Sequence, residues 1–179
     1  MHFETLIDYL TASSIDGDLA ILPVPVVADH LNITPAAVSG RMRRGALEEI
    51  RIGKNRYVSQ RSLIAERDLL QQRADTVERA LEDLIGRGER HTFYEPIMEM
   101  VGLSWRVPAD RTEIGRILAV VSRRSRDRNG TMLSVVVHGK TAGQTMPSDS
   151  FFDLARQFEF EWKDDRKFVE KQTDRVLKT

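Results

Sequence analysis

The sequence predicts a mainly α chain with small β elements, an α+β protein of two modules joined by a long helix. Three observations carry this expectation. Between Pro25 and Leu63, two short helical patterns precede two candidate strands around Gly53-Lys54-Asn55. From Leu63 onward, Leu70, Val77 and Leu84 recur every seven residues. After Gly86-Arg87-Gly88 the pattern restarts in shorter apolar segments. The expected division is a first module over residues 1–62, a connecting or dimerising helix and hinge over 63–90, and a small C-terminal module over 91–179.

Composition limits the function classes. The chain has 179 residues, enough for one ordinary domain or two small ones. It is 41% hydrophobic and 30% charged, which argues against wholesale disorder. Its formal net charge is zero, so a nucleic-acid surface requires local segregation of charge. The lack of cysteine excludes disulfides, thiolate zinc sites, iron–sulfur ligation and a cysteine nucleophile. A cytoplasmic location is the simplest expectation. No apolar run approaches the roughly 18 residues of a membrane span, and MHFETLIDYL has no basic then apolar leader pattern. Neither a membrane partner nor a signal peptide is expected.

Taken in order, Phe3, Leu6, Ile7 and Leu10 fall at helical spacing and predict an amphipathic helix over residues 2–11. Residues 13–18 read as a polar loop, and Leu19 to Leu22 as a short strand or arm ended by Pro23 and Pro25. A helix then begins at Pro25, with Val26, Val27 and Leu31 inward and Asn32 at its end. Thr34 followed by Pro35 is an N-cap and first-turn signal for a second helix. Val38 and Met42 should pack inward, and Gly45 sits where a C-terminal glycine belongs. Leu47 to Ile52 and Arg56 to Ser59 read as two strands of a hairpin. Two helices, a tight turn and a hairpin, in that order, predict a winged helix-turn-helix.

In that arrangement the second helix enters the DNA major groove and the hairpin, as the wing, lies beside it. The outward face would be Ala36, Ser39, Gly40 and Arg43, flanked by Arg41 and Arg44. Small residues at the front allow close approach, and Arg43 is the candidate for bidentate reading of guanine. Arg41, Arg44 and the start of the helix at Thr34 suit phosphates. Arg51, Lys54, Asn55 and Arg56 make the wing basic. A solvated basic face is the plain alternative, but here the cations gather on the two elements a winged helix presents to DNA.

The run Val27-Ala28-Asp29-His30-Leu31-Asn32-Ile33-Thr34, with Val38, Arg41, Gly45, Leu47, Ile52-Gly53, Arg56-Tyr57-Val58 and Ser62-Leu63, resembles the winged helix-turn-helix of the MerR and excisionase-like group. The resemblance covers about residues 20–63. It implies DNA contacts on the second helix and wing, and a dimerising helix after the wing, where Leu63 to Leu84 stands. It implies no metal sensing, because the cysteines that serve it are missing.

The second module reads as a helix within residues 92–102, a helix from Asp110 to about Arg126 capped by Asp110 and Glu113, and a turn at 128–130. The run from Met132 to His138 predicts a strand, and residues 139–143 a loop. Helices are expected after Ser148 or Asp149 and over residues 166–177. The whole resembles a small α/β or second winged-helix-like unit. Arg111, Arg116, Arg123 and Arg124 offer a second nucleic-acid or anion surface, or else pair with nearby acids. Alternation of Phe158, Phe160 and Trp162 predicts a strand through Glu161; with Pro147, Asp149 and Lys163 it resembles the acidic metal site of restriction-type nucleases. His138 and Lys140 flank a strand end, where histidine is more often structural. There is no phosphate-binding glycine loop, nucleophile elbow or histidine pair at metal spacing, so no metal, cofactor or catalytic residue is expected. The function expected is sequence-specific binding of double-stranded DNA by a homodimeric transcriptional regulator, with a protein partner or ligand at the C-terminal module. The alternative is a DNA-associated enzyme or a non-catalytic subunit of a nucleic-acid-processing complex.

Overall fold

The computed structural model describes residues 1–15, 17–141 and 144–178. It is mainly helical with two small sheets, and divides into two compact units, Met1–Leu69 and Leu70–Thr179. The division falls inside one helix, whereas the sequence predicts a separate connector over 63–90. Among the described residues no helix is long and apolar enough to cross a membrane.

The first unit opens with a strand, β1 (His2–Phe3), where a helix over 2–11 was expected. The helix α1 runs over Leu6–Ile15 instead. Its start is fixed by a reciprocal cap. The Thr5 amide and hydroxyl donate to Asp8 Oδ2 at 3.0 and 2.8 Å, and the Asp8 amide donates to Thr5 Oγ1 at 3.2 Å. That phase turns Leu6, Ile7 and Leu10 to solvent and buries Tyr9, whose hydroxyl donates to the Leu19 carbonyl at 2.8 Å. The expected polar loop is therefore partly helix; Gly17–Leu19 forms a 3-10 turn, and Asp16 lies outside the described residues.

Strand β2 (Ile21–Pro23) leads into helix α2 (Val24–Leu31), which Asn32 ends with a left-handed backbone at φ 52°. The helix starts one residue earlier than Pro25; Val27 and Ala28 are buried, but Val26 is exposed, so the inward face is carried by Val27 and Ala28 and not by Val26. Helix α3 (Pro35–Arg43) begins at Thr34, whose Oγ1 accepts from the Ala37 amide at 3.2 Å. Val38 and Met42 face the core with Leu47 and Val58, and Leu63 packs against them. Strands β3 (Glu49–Ile52) and β4 (Asn55–Ser59) form the hairpin. Gly53 stands at the first central position of its turn with φ 59°. The sheet order is β1-β3-β4-β2, with β1 parallel to β3 and the other pairs antiparallel.

Helix α4 (Gln60–Gly86) carries the seven-residue repeat. Residues Ala74, Val77, Leu81 and Leu84 are buried in the core of the second unit. The stripe expected to face a partner in a coiled coil is used within the chain. The expected hinge at 82–90 starts later, since Glu82–Gly86 is still helical.

The second unit continues with β5 (Thr92–Phe93), α5 (Tyr94–Met100) and α6 (Pro108–Asn129). Asp110 does not cap α6. Pro108 already occupies the first turn, and Asp110 Oδ2 accepts from the Ser104 amide at 2.9 Å. Glu113 is engaged with Arg116 at 2.8 Å. The helix runs through Arg128 and Asn129, and Gly130 ends it with φ 69°. The largest departure is at Met132 to His138. Leu133–Val136 is a buried 3-10 turn, and only Val137–Thr141 forms a strand, β6. A short apolar run buried on every side has no periodicity to separate strand from helix. Here Ser134 turns to the Ser122 hydroxyl at 2.5 Å, inside the core. Strand β7 (Gln144–Met146) pairs antiparallel with β6, and β5 pairs parallel with it. The expected loop thus contributes Gly139 to Thr141 to β6; Ala142 and Gly143 lie outside the described residues.

Helices α7 (Asp149–Gln157) and α8 (Asp165–Val176) complete the unit. The expected strand through Glu161 is absent. Glu159 has φ 62°, and the irregular segment folds Trp162 onto Phe168 at 4.3 Å between ring centres. The alternation of Phe160 and Trp162 records aromatic packing on α8, and the nuclease-like reading loses the strand it needs. Leu81 is fully buried among these elements. Leu81→Ala is expected to destabilise the protein by about 2–5 kcal/mol, read as a lower denaturant midpoint in the transition that reports the second unit.

Candidate nucleic-acid interface

The chain as a whole has no net charge, so a cationic surface on the first unit depends on which cations stand unpaired. Helix α3 and the hairpin sort them into two sets. Arg43 and Arg44 are exposed at the end of α3 and have no ion-pair partner among the described residues. Lys54 and Asn55 are exposed at the hairpin tip. Thr34 and Ala36 are exposed at the start of α3, and Ser39 is half-buried beside them. The Thr34 oxygen is engaged as the cap, which leaves its O–H as a donor.

The other predicted contacts are already committed. Arg41 is only 15% exposed and its Nη1 donates to Glu66 Oε1 at 2.6 Å. This pair ties α3 to the start of α4 and removes Arg41 from the expected phosphate contacts. Gly40 is buried, not outward. A methyl group there would lie 3.4 Å from Arg44 Nη1 and 4.0 Å from Arg43 Nη2, so the two guanidiniums lie across it.

On the hairpin, Arg51 stands opposite Arg56 and both bind Glu49. Arg56 Nη2 donates to Glu49 Oε2 at 2.6 Å, and Arg51 Nε donates to the other carboxylate oxygen. Two adjacent arginines would repel each other; Glu49 between them supplies the opposing charge. The hydrogen bond from Arg56, followed by that from Arg51, holds the Glu49 carboxyl below the usual carboxylate range against the cost of burial. Glu49 was missed in the sequence. Period-two reading of Glu49-Ile50-Arg51-Ile52 puts Glu49 and Arg51 on one face, and the Gly53-Lys54 turn puts Arg56 beside them, so the hairpin register held the signal.

The second predicted surface is divided in the same way. Arg124 donates to Asp75 at 2.7 Å, Glu78 at 2.9 Å and Gln71 at 2.6 Å, all on α4. Glu78 is buried and also binds Arg128. These are struts between α6 and α4. Arg116 pairs with Glu113, while Arg111 and Arg123 are exposed. Arg116 and Arg123 line one cavity, whereas Arg124 is held against α4. Among the described residues, no group of three or more histidine or acidic side chains stands where it could hold a metal ion.

No family model matches the chain, and no match is found among curated proteins or solved structures.

Because the folded-state pKa of Glu49 is depressed, its contribution to stability is complete above the ordinary carboxylate range and is lost as pH falls through and below it. Glu49→Gln should therefore lower stability at neutral pH, and the difference from the wild type should shrink on acidification. Urea unfolding of both proteins at pH 7 and at about pH 3 checks this.

Proposed function

We propose that the first unit is a winged helix-turn-helix that binds double-stranded DNA in a sequence-specific way, in a transcriptional regulator of bacterial or phage type. The observation that carries the reading is the sorting of charge on α3 and the hairpin. Arg41, Arg51 and Arg56 are held by acids, while Arg43, Arg44 and Lys54 are left exposed on the two elements that such a unit offers to DNA. The MerR and excisionase-like resemblance over residues 20–63 points to the same elements.

In this reading α3 lies in the major groove. Ala36 and Ser39 let its front approach the base edges, and Arg43 reads guanine. Arg44 and the Thr34 hydroxyl hold phosphates, which set register without reading sequence. Lys54 and Asn55 bring the wing tip to the neighbouring backbone or minor groove. Glu49 acts as a positioning residue, since it fixes the guanidiniums of Arg51 and Arg56 before DNA arrives.

Selection of bound duplexes from a random library tests the reading and returns the site. A twofold-symmetric consensus indicates a homodimer, and a single half-site a monomer. On the selected duplex, Arg43→Ala should cost about 1–3 kcal/mol and relax preference at one base pair. Arg41→Ala should reduce stability and leave that base preference intact. Failure to enrich any sequence, or unchanged binding by Arg43→Ala, refutes the assignment.

A further inference from the structure

The second unit contains a cavity of about 420 Å³ whose wall is built from three parts of the chain. Arg90 and His91 come from the segment before β5, His138 and Thr145 from the β6–β7 hairpin, and Arg166 and Glu170 from α8. The deepest of these is His138, at 7% exposure. Its ring is oriented by one hydrogen bond, between Nε2 and the Val135 carbonyl at 3.0 Å. A carbonyl only accepts, so Nε2 carries the proton and Nδ1 is left with a lone pair. That Nδ1 is shielded from solvent and has no hydrogen-bond partner. Burial also disfavours protonation of the ring. Buried polar atoms are nearly always satisfied, and an orphan on a residue that lines a cavity calls for a partner.

The charges around it are uneven. Arg166 has no ion-pair partner among the described residues, whereas Arg90 is tied to Asp174 at 2.6 Å. Glu170, one turn along α8 from Arg166, is the acid in the wall. One unpaired guanidinium beside one carboxylate suits a single negative charge and disfavours a densely charged ligand. His91, an exposed side chain, stacks on His138 at 5.3 Å between ring centres and 17° between planes.

We propose that this cavity binds a small monoanion that carries its own hydrogen-bond donor. Arg166 takes the anionic group, and His138 Nδ1 accepts from the ligand's O–H. The shared chemistry is an oxyanion with a hydroxyl, which a hydroxycarboxylate and a protonated phosphate both offer. The site involves residues 90–173 alone and does not depend on the DNA reading.

Nitrogen-15 spectra of the histidine rings in the full-length protein test this near pH 7. The probes are lactate, inorganic phosphate and propionate, the last resembling lactate without its hydroxyl. Lactate or phosphate should shift His138 Nδ1 and the His91 ring saturably, and the tighter of the two identifies the ligand group. Propionate should bind at least about tenfold more weakly than lactate if lactate is the better ligand. Arg166→Gln, at the surface, should weaken the response about tenfold or more while leaving the fold intact. His138→Gln keeps a donor for the Val135 carbonyl, removes Nδ1, and should erase the preference for lactate over propionate. The proposal is overturned if neither lactate nor phosphate shifts His138 saturably, if propionate binds as well as lactate and phosphate, or if Arg166→Gln leaves the response unchanged.

Discussion

One helix has to satisfy two cores, and the rest of the structure is arranged around that requirement. Leu63 of α4 packs with Val38, Met42 and Val58 in the first unit, while Ala74, Val77, Leu81 and Leu84 are buried in the second. Each fully buried valine or leucine is worth about 1.5–3 kcal/mol relative to exposure, so the second unit draws a large share of its stability from this stripe. The polar flank of the same helix contributes too. Glu78 is buried between Arg124 and Arg128, a geometry in which each charge has its partner and hydrogen bonds. The apolar stripe and part of the charged flank of α4 thus both make contacts within the second unit.

The first unit solves a related problem in charge. Acids and bases balance over the whole chain, so a cationic surface exists only where cations escape pairing. Glu66 and Glu49 take three arginines out of circulation and in doing so fix the edges of α3 and the hairpin. The remaining cations, Arg43, Arg44 and Lys54, gain definition from that framework, because their neighbours no longer compete for position. The proposed DNA contacts depend on this division more than on the number of basic residues.

Much of the first unit is legible in its sequence. Thr34-Pro35, Asn32, Gly45 and Gly53 each carry a backbone instruction that acts locally, and α2, α3 and the hairpin appear where those residues put them. The failures share a cause. The start of α1 was set by a reciprocal Thr5–Asp8 cap that apolar spacing outweighed. Residues 133–136 and 158–164 are shaped by what surrounds them, a buried serine pair in one case and a stack on Phe168 in the other. At the candidate interface the positions of Arg43 and Lys54 followed from local pattern. The partners of Arg41 and Arg124 did not, since Glu66 and Glu78 are distant in sequence and no spacing rule links them.

The four-stranded sheet has a further bearing on assembly. Both hairpin strands have neighbours on their outer sides, β1 against β3 and β2 against β4. The strands left at the margins are only two and three residues long, and one ends in Pro23. Short, proline-bearing margins are poor templates for strand addition. Strand addition at these margins would therefore gain few main-chain hydrogen bonds, which disfavours growth of a fibril or a strand-swapped dimer from this sheet.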